Sequence, residues 1–210
     1  MERAADIDIT ISQKNSKMGE IPSFSLPAGL SCPAGVPCAE KCYARKGRQK
    51  FDSVRESYRR NLRAVKTDPE KTAETIIQWL RERRNTCHVF RWNVSGDFAT
   101  PGYADMAFRV ARETPWVTHF AYTKVYALLT RKDVPENFRL IASVWGVYRP
   151  HIDGGKIIRA YMRDKAGKHY IPASTPERPV YNCTCKMQCM GCTRPCWKMQ
   201  PGESVVFDEH

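Results

Sequence analysis

Two groups of cysteines dominate the chemistry this sequence can do. The first is Cys32, Cys38 and Cys42, within SCPAGVPCAEKCYARKG. Thiolates are soft donors that suit zinc or iron–sulfur clusters. Three of them in a spacing C-x5-C-x3-C can face one centre only if the loop folds back, and Pro33, Gly35 and Pro37 suit that reversal. Three sulfurs are one short of a closed tetrahedral zinc site. They match a four-iron cluster with one iron left open to a ligand, so an iron–sulfur cluster is favoured. A zinc site completed by a distant cysteine or histidine is the alternative.

The second group lies in the tail, YNCTCKMQCMGCTRPCW, and comprises Cys183, Cys185, Cys189, Cys192 and Cys196. Cys189-x2-Cys192-x3-Cys196 resembles cluster-binding spacing. The stretch has few aliphatic residues to bury, so a bound metal would supply its folding energy. Structural zinc serves as well as iron and sulfide there. One tail cysteine completing the first site is a third arrangement. The ninth cysteine, Cys87, opens an apolar stretch and reads as a small core residue.

The compartment decides how these thiols are read. The N-terminus MERAADIDIT lacks the basic and apolar regions of a signal peptide, and no run approaches the roughly 20 apolar residues of a membrane span. A cytosolic protein is expected, with thiols reduced and available for metal or catalysis. The formal net charge of +12 attracts polyanions, so nucleic acid is a candidate partner. An ordinary solvated basic surface explains the same charge.

The elements that would position these residues alternate. Residues 7–11 and 23–26 read as short strands. A helix is expected near Ala39. A second covers residues 53–66, with Val54, Tyr58, Leu62 and Val65 at helical spacing and Arg55, Arg59, Arg60 and Arg63 opposite. A third begins with Asp68 as N-cap and Pro69 in its first turn and ends near Arg84. Residues 88–94 form a strand, and Thr100-Pro101 starts a helix running to about Arg112. Strands follow over 117–122, 138–144 and 156–162, with a short helix over 125–131.

Alternating strands and helices imply a parallel sheet with right-handed crossovers. Five or six strands are too few for a closed eight-fold barrel, so an α/β fold of open or partial (βα) barrel type is expected. Residues 1–175 would form it, and residues 176–210 would pack on it as a small Cys-rich metal-binding segment. In such a sheet the loops after the strands share one edge, where ligands bind. That edge would gather Cys32, Cys38 and Cys42, then Ser95-Gly96-Asp97, then Tyr122-Thr123-Lys124, then residues 143–146.

Each has a use there and an ordinary alternative. Gly96 permits close backbone approach to a ligand, and Asp97 accepts from an ammonium group. Such a triplet is more often a plain turn. Lys124 would meet a carboxylate or phosphate, or simply be solvated. Arg91 and Asn93 would line the ligand side of their strand, or face water. His88 and His210 have no neighbours that argue for ligation. No Walker loop, G-x-G-x-x-G or nucleophile elbow is present.

The segments NSKMGEIPSFSLPAG, SCPAGVPCAEKCYARKG, FRWNVSGDF and AYTK, with the terminal CxxxCW, resemble the phage "gene product 88" family over most of the chain. More distantly, three cysteines after a first strand and an acidic glycine turn after the second resemble the radical S-adenosylmethionine enzymes. That likeness implies a [4Fe-4S] cluster on Cys32, Cys38 and Cys42. It also implies S-adenosylmethionine held by Ser95, Gly96 and Asp97, and a radical reaction on a nucleotide, nucleic acid or host protein, the last two being the expected partners. The spacing C-x5-C-x3-C departs from the C-x3-C-x2-C usual in those enzymes. Tyr43 follows the third cysteine where their aromatic residue precedes it.

Overall fold

The computed structural model describes residues 7–15, 18–183 and 189–208. Eight strands form one sheet: β1 (Ile11–Ser12), β2 (Ser23–Phe24), β3 (Val89–Trp92), β4 (Thr118–Thr123), β5 (Phe138–Val144), β6 (Ile158–Arg163), β7 (Val180–Asn182) and β8 (Ser204–Asp208). Three α-helices accompany them among the described residues: α1 (Asp52–Thr67), α2 (Pro69–Glu82) and α3 (Pro101–Glu113).

Strand order is β1-β2-β3-β4-β5-β6-β8-β7, and every neighbouring pair but β1–β2 is parallel. From β2 to β6 each strand lies beside its predecessor. Right-handed crossovers in that order must place their helices on one face. They do: α1, α2 and α3 contribute to one buried cluster with Phe24, Phe90, Trp92, Phe138 and Leu140. The opposite, helix-free face has its own core. Phe120, Ile141, Ile158 and Val205 from the sheet pack there with Met18, Ile21, Trp197 and Met199 from either end of the chain. The sheet is mostly parallel and does not close.

The helix starts follow their caps. Asp68 Oδ1 accepts from Lys71 N at 2.9 Å, and Thr100 Oγ1 from Tyr103 N at 3.1 Å. Each satisfies an N–H that the first turn leaves open. α1 buries Ser57, Asn61, Ala64 and Val65, a stripe shifted from the predicted one, with Val54, Tyr58 and Leu62 half-buried. The shift is explained by Asn61, which is fully buried. Its carboxamide accepts from Thr10 N (2.7 Å) and donates to the Thr10 and Ser25 carbonyls (2.9 and 3.0 Å). It stitches the N-terminal segment and the end of β2 to α1.

Two expectations are corrected. No α-helix forms near Ala39; the loop makes only one-turn 3-10 segments at Pro37–Ala39, Tyr43–Arg45 and Gly47–Lys50. Pro37 and left-handed Gly35 and Gly47 interrupt any longer run. The strand count is eight rather than five or six, because β7 and β8 of the tail region join the sheet beside β6.

Candidate functional site

The parallel topology brings the predicted loops to one edge. After β2 the chain crosses to the turn after β3, where Leu26 N donates to the Ser95 carbonyl at 3.0 Å. It then enters the cysteine loop. Gly29 N–H points at Cys32 Sγ, 3.4 Å away. Cys32 shares an electrostatic neighbourhood with Cys38, Cys42 and Asp97. Burial is the main cause that pushes the Cys32 thiol pKa up, and the acidic groups around it push the same way against the Gly29 N–H. The loop is tied down by Tyr43, whose hydroxyl donates to the Val94 carbonyl just beyond β3.

Ser95, Gly96 and Asp97 all sit in this edge. Gly96 adopts φ +79°, and a Cβ there would lie 2.2 Å from Ser31 Oγ and 2.8 Å from the Leu26 carbonyl. Its missing side chain makes room for the cysteine loop itself. Asp97 is buried, with Oδ1 accepting from Phe98 N (2.8 Å) and Thr123 Oγ1 (2.7 Å), and Oδ2 from Lys124 N (2.7 Å). It staples the turn after β3 to the end of β4. Burial pushes its pKa up, while the three donors and the Lys124 charge oppose that. Asn93, with φ +57°, is the one described non-glycine residue in the left-handed region. Its Oδ1 accepts from Tyr103 OH at 2.8 Å, and its Nδ2, like Ser95 Oγ, is buried without a hydrogen-bond partner among the described residues.

One strand on, the Lys124 ammonium donates to Ser143 Oγ at 2.7 Å and makes no ion pair among the described residues. Tyr126 OH donates to the Ser143 carbonyl at 2.6 Å. Residues 143–146 thus also join the edge.

The tail cysteines approach from the helix-free face. Cys183, Cys189 and Cys196 pack against its core together with Tyr122. Burial holds the Tyr122 hydroxyl pKa well above its ordinary value, reinforced by Cys196, its hydrogen-bond partner, and by Cys189. Cys192 is half-buried nearby in sequence, and Cys185, like His210, lies outside the described residues. Among the described residues no three His, Cys, Asp or Glu side chains converge closely enough to hold a metal ion as they stand.

Arg91, which the sequence offers as lining the ligand side of its strand or facing water, is half-buried. Its guanidinium lies over the Tyr122 ring, 4.9 Å from the centroid, and Nη1 reaches Met18 Sδ at 3.0 Å. It also interacts with the Tyr43 hydroxyl beside Cys42. One cation thus meets both Tyr43, the residue after Cys42, and Tyr122, which hydrogen-bonds Cys196. Arg91 makes no ion pair among the described residues, and its Nε is buried without a partner. By contrast Arg55, Arg60 and Arg63 of α1 pair with Asp52, Asp8 and Glu56, so that basic face is largely offset by its own acids.

The family model described as "Gene product 88" matches residues 4–169. The chain belongs to the gene product 88 family. The "Gene 88 protein" of Mycobacterium phage L5 is 32% identical over 122 residues, 53% of this chain and 51% of that protein. The chain therefore aligns with about half the length of this relative. No solved structure matches it. The family match takes in Cys32, Cys38, Cys42, Asp97 and Lys124 and stops short of the tail cysteines. The likeness to radical S-adenosylmethionine enzymes is not supported by these matches. No helix among the described residues is long and apolar enough to cross a membrane.

Proposed function

We propose that this gene product 88 protein binds an iron–sulfur cluster at the strand-end edge, through Cys32, Cys38 and Cys42. The observation that carries the reading is Arg91. Its guanidinium rests on the Tyr122 ring and has no carboxylate partner among the described residues, and a half-buried cation so placed favours a nearby anion. The groups that flank it are Tyr43, next to Cys42, and Tyr122, next to Cys196. Thiolates held by a metal supply the missing negative charge, whereas neutral thiols do not.

The donor set fits such a group in kind: three thiols in one neighbourhood, one receiving a backbone N–H, as sulfur ligands of clusters do. Ligation would draw the sulfurs together from the positions they occupy, which is the usual coupling of metal binding to loop order. A bound cluster with an open iron supplies electrons and a coordination position for a substrate. The chain's own residues do the positioning. Tyr43 fixes the loop to β3, Gly96 lets the loop lie against the next turn, and Asp97 locks that turn to β4. Because Asp97 already accepts three hydrogen bonds, its role is to hold the edge. S-adenosylmethionine is one molecule that would use the open position. The tail cysteines are the place for a second cluster or zinc.

Iron and acid-labile sulfide in protein purified without oxygen test this directly. The full chain is expected to carry both, and Cys38→Ala to lose iron from the edge site. Electron paramagnetic resonance of the reduced protein, before and after adding S-adenosylmethionine, reports whether an iron is open to it. Zinc without sulfide, or an iron content unchanged in Cys38→Ala, would sink the assignment.

A further inference from the structure

The strand-end edge has a second feature that the cysteines do not use. A cavity of about 560 Å³ opens beside the cysteine loop on the α3 side. Its walls come from three consecutive strand-end segments: Ser31, Cys32 and Pro33, then residues 98–101, then residues 124–128, with Arg131 beyond. Pockets of roughly 300–1,000 Å³ are the size that holds small organic ligands.

The lining states what kind of ligand. Phe98, Pro101, Val125 and Leu128 give it an apolar body. Two cations, Lys124 and Arg131, reach it, and no carboxylate lines it. Arg131 is already paired with Asp105 and Asp133. Lys124 is different: its ammonium donates to the neutral Ser143 hydroxyl and makes no ion pair among the described residues, feeling the Asp97 carboxylate only as a neighbouring charge while Asp97 takes its backbone N–H. A half-buried lysine on the wall of a largely apolar cavity favours an anion that also has apolar surface to bury.

We propose that this cavity binds a small organic anion with an apolar body, its acidic group facing Lys124 and its body lying between Phe98 and Leu128. Cys32 is on the wall, so the ligand lies against the cysteine loop. The inference does not rest on a cluster being present.

The test uses two fluorescent probes of nearly one shape: 1-anilinonaphthalene-8-sulfonate, an anion, and its uncharged parent N-phenyl-1-naphthylamine. Both are titrated into the full chain and into variants shown by circular dichroism to be folded. Lys124→Gln is expected to weaken the sulfonate at least about tenfold while changing the neutral probe by less than about twofold, as loss of one charge contact predicts. Lys124→Arg keeps the charge and is expected to keep the sulfonate. Ala127→Trp, at an exposed position on the cavity wall, is expected to exclude both probes. Sulfonate affinity unchanged in Lys124→Gln or in Ala127→Trp overturns the proposal, and so does equal loss in Lys124→Arg. Iron content is read separately, so charge-selective probe binding without iron would leave the cavity standing and remove the cluster.

Discussion

The Arg91 guanidinium covers the Tyr122 ring at 4.9 Å, and through it the strand β3 touches the tail cysteines. The same side chain meets Tyr43 beside Cys42. A positive charge near a cluster favours its more reduced, more negative state. Arg91→Met keeps much of the bulk and removes the charge. It is expected to shift the midpoint potential of the proposed cluster to more negative values, followed by potentiometric titration with iron content as the control. An unchanged potential would mean that Arg91 serves packing alone.

Gly96 is the tightest backbone contact of the site. An alanine there would meet Ser31 Oγ at 2.2 Å and the Leu26 carbonyl at 2.8 Å, and would also be forced into the left-handed region. Ser31 can rotate, but the carbonyl belongs to the backbone. Gly96→Ala should therefore cost about 2–3 kcal/mol in urea unfolding, combining steric conflict with backbone strain. A loss under about 0.5 kcal/mol would show that the cysteine loop yields easily. Gly29, whose added Cβ would meet mainly the flexible tip of Arg45, is the comparison.

Much of this arrangement is legible in the sequence, for local reasons. Asp68-Pro69 and Thr100-Pro101 place helix starts because caps act within one turn. β3, β4 and β5 are apolar enough to announce themselves. The shared edge follows from alternation alone. What escapes is set by distant partners. β7 has three residues after Pro179 and exists because Ser204–Asp208 pairs with it on one side and with β6 on the other. Asn61 interrupts an apolar stripe, and only the opposing Thr10 and Ser25 groups explain it. Arg91 looks like any polar residue on an alternating strand until two cysteine segments arrive on either side of it.

Asn61 offers a clean measure of such a polar tie. Its side chain is fully buried, the bond to Ser25 is buried and the two to Thr10 are partly so, and replacement by alanine leaves the Thr10 N–H and two carbonyls without it. Each abandoned buried group costs about 1–3 kcal/mol, with the shared solvent access of the Thr10 segment lowering the sum. Asn61→Ala is expected to lose roughly 3 kcal/mol in chemical denaturation. Asn61→Leu should do no better despite its apolar bulk, because the orphaned groups remain.

His119 links stability to pH. It is fully buried, Trp92 Nε1 donates to its Nδ1 at 3.1 Å, and Nε2 lies 2.9 Å from Thr114 Oγ1. Thr114 Oγ1 in turn donates to the Val110 carbonyl at 2.6 Å, so it must accept from Nε2–H. One neutral tautomer satisfies every group, and protonating Nδ1 would oppose the Trp92 N–H. Burial lowers the folded pKa to about 3 from an ordinary 6.5. The unfolded chain therefore takes up this proton first as pH falls. The stabilisation is complete above pH 6.5 and drains away between there and about 3, at up to about 1.4 kcal/mol per pH unit for this group. His119→Gln, compared with wild type in urea titrations at pH 7 and 5, should show the flatter dependence once the fold is shown intact. Parallel slopes for the two proteins would place the acid sensitivity elsewhere in the chain.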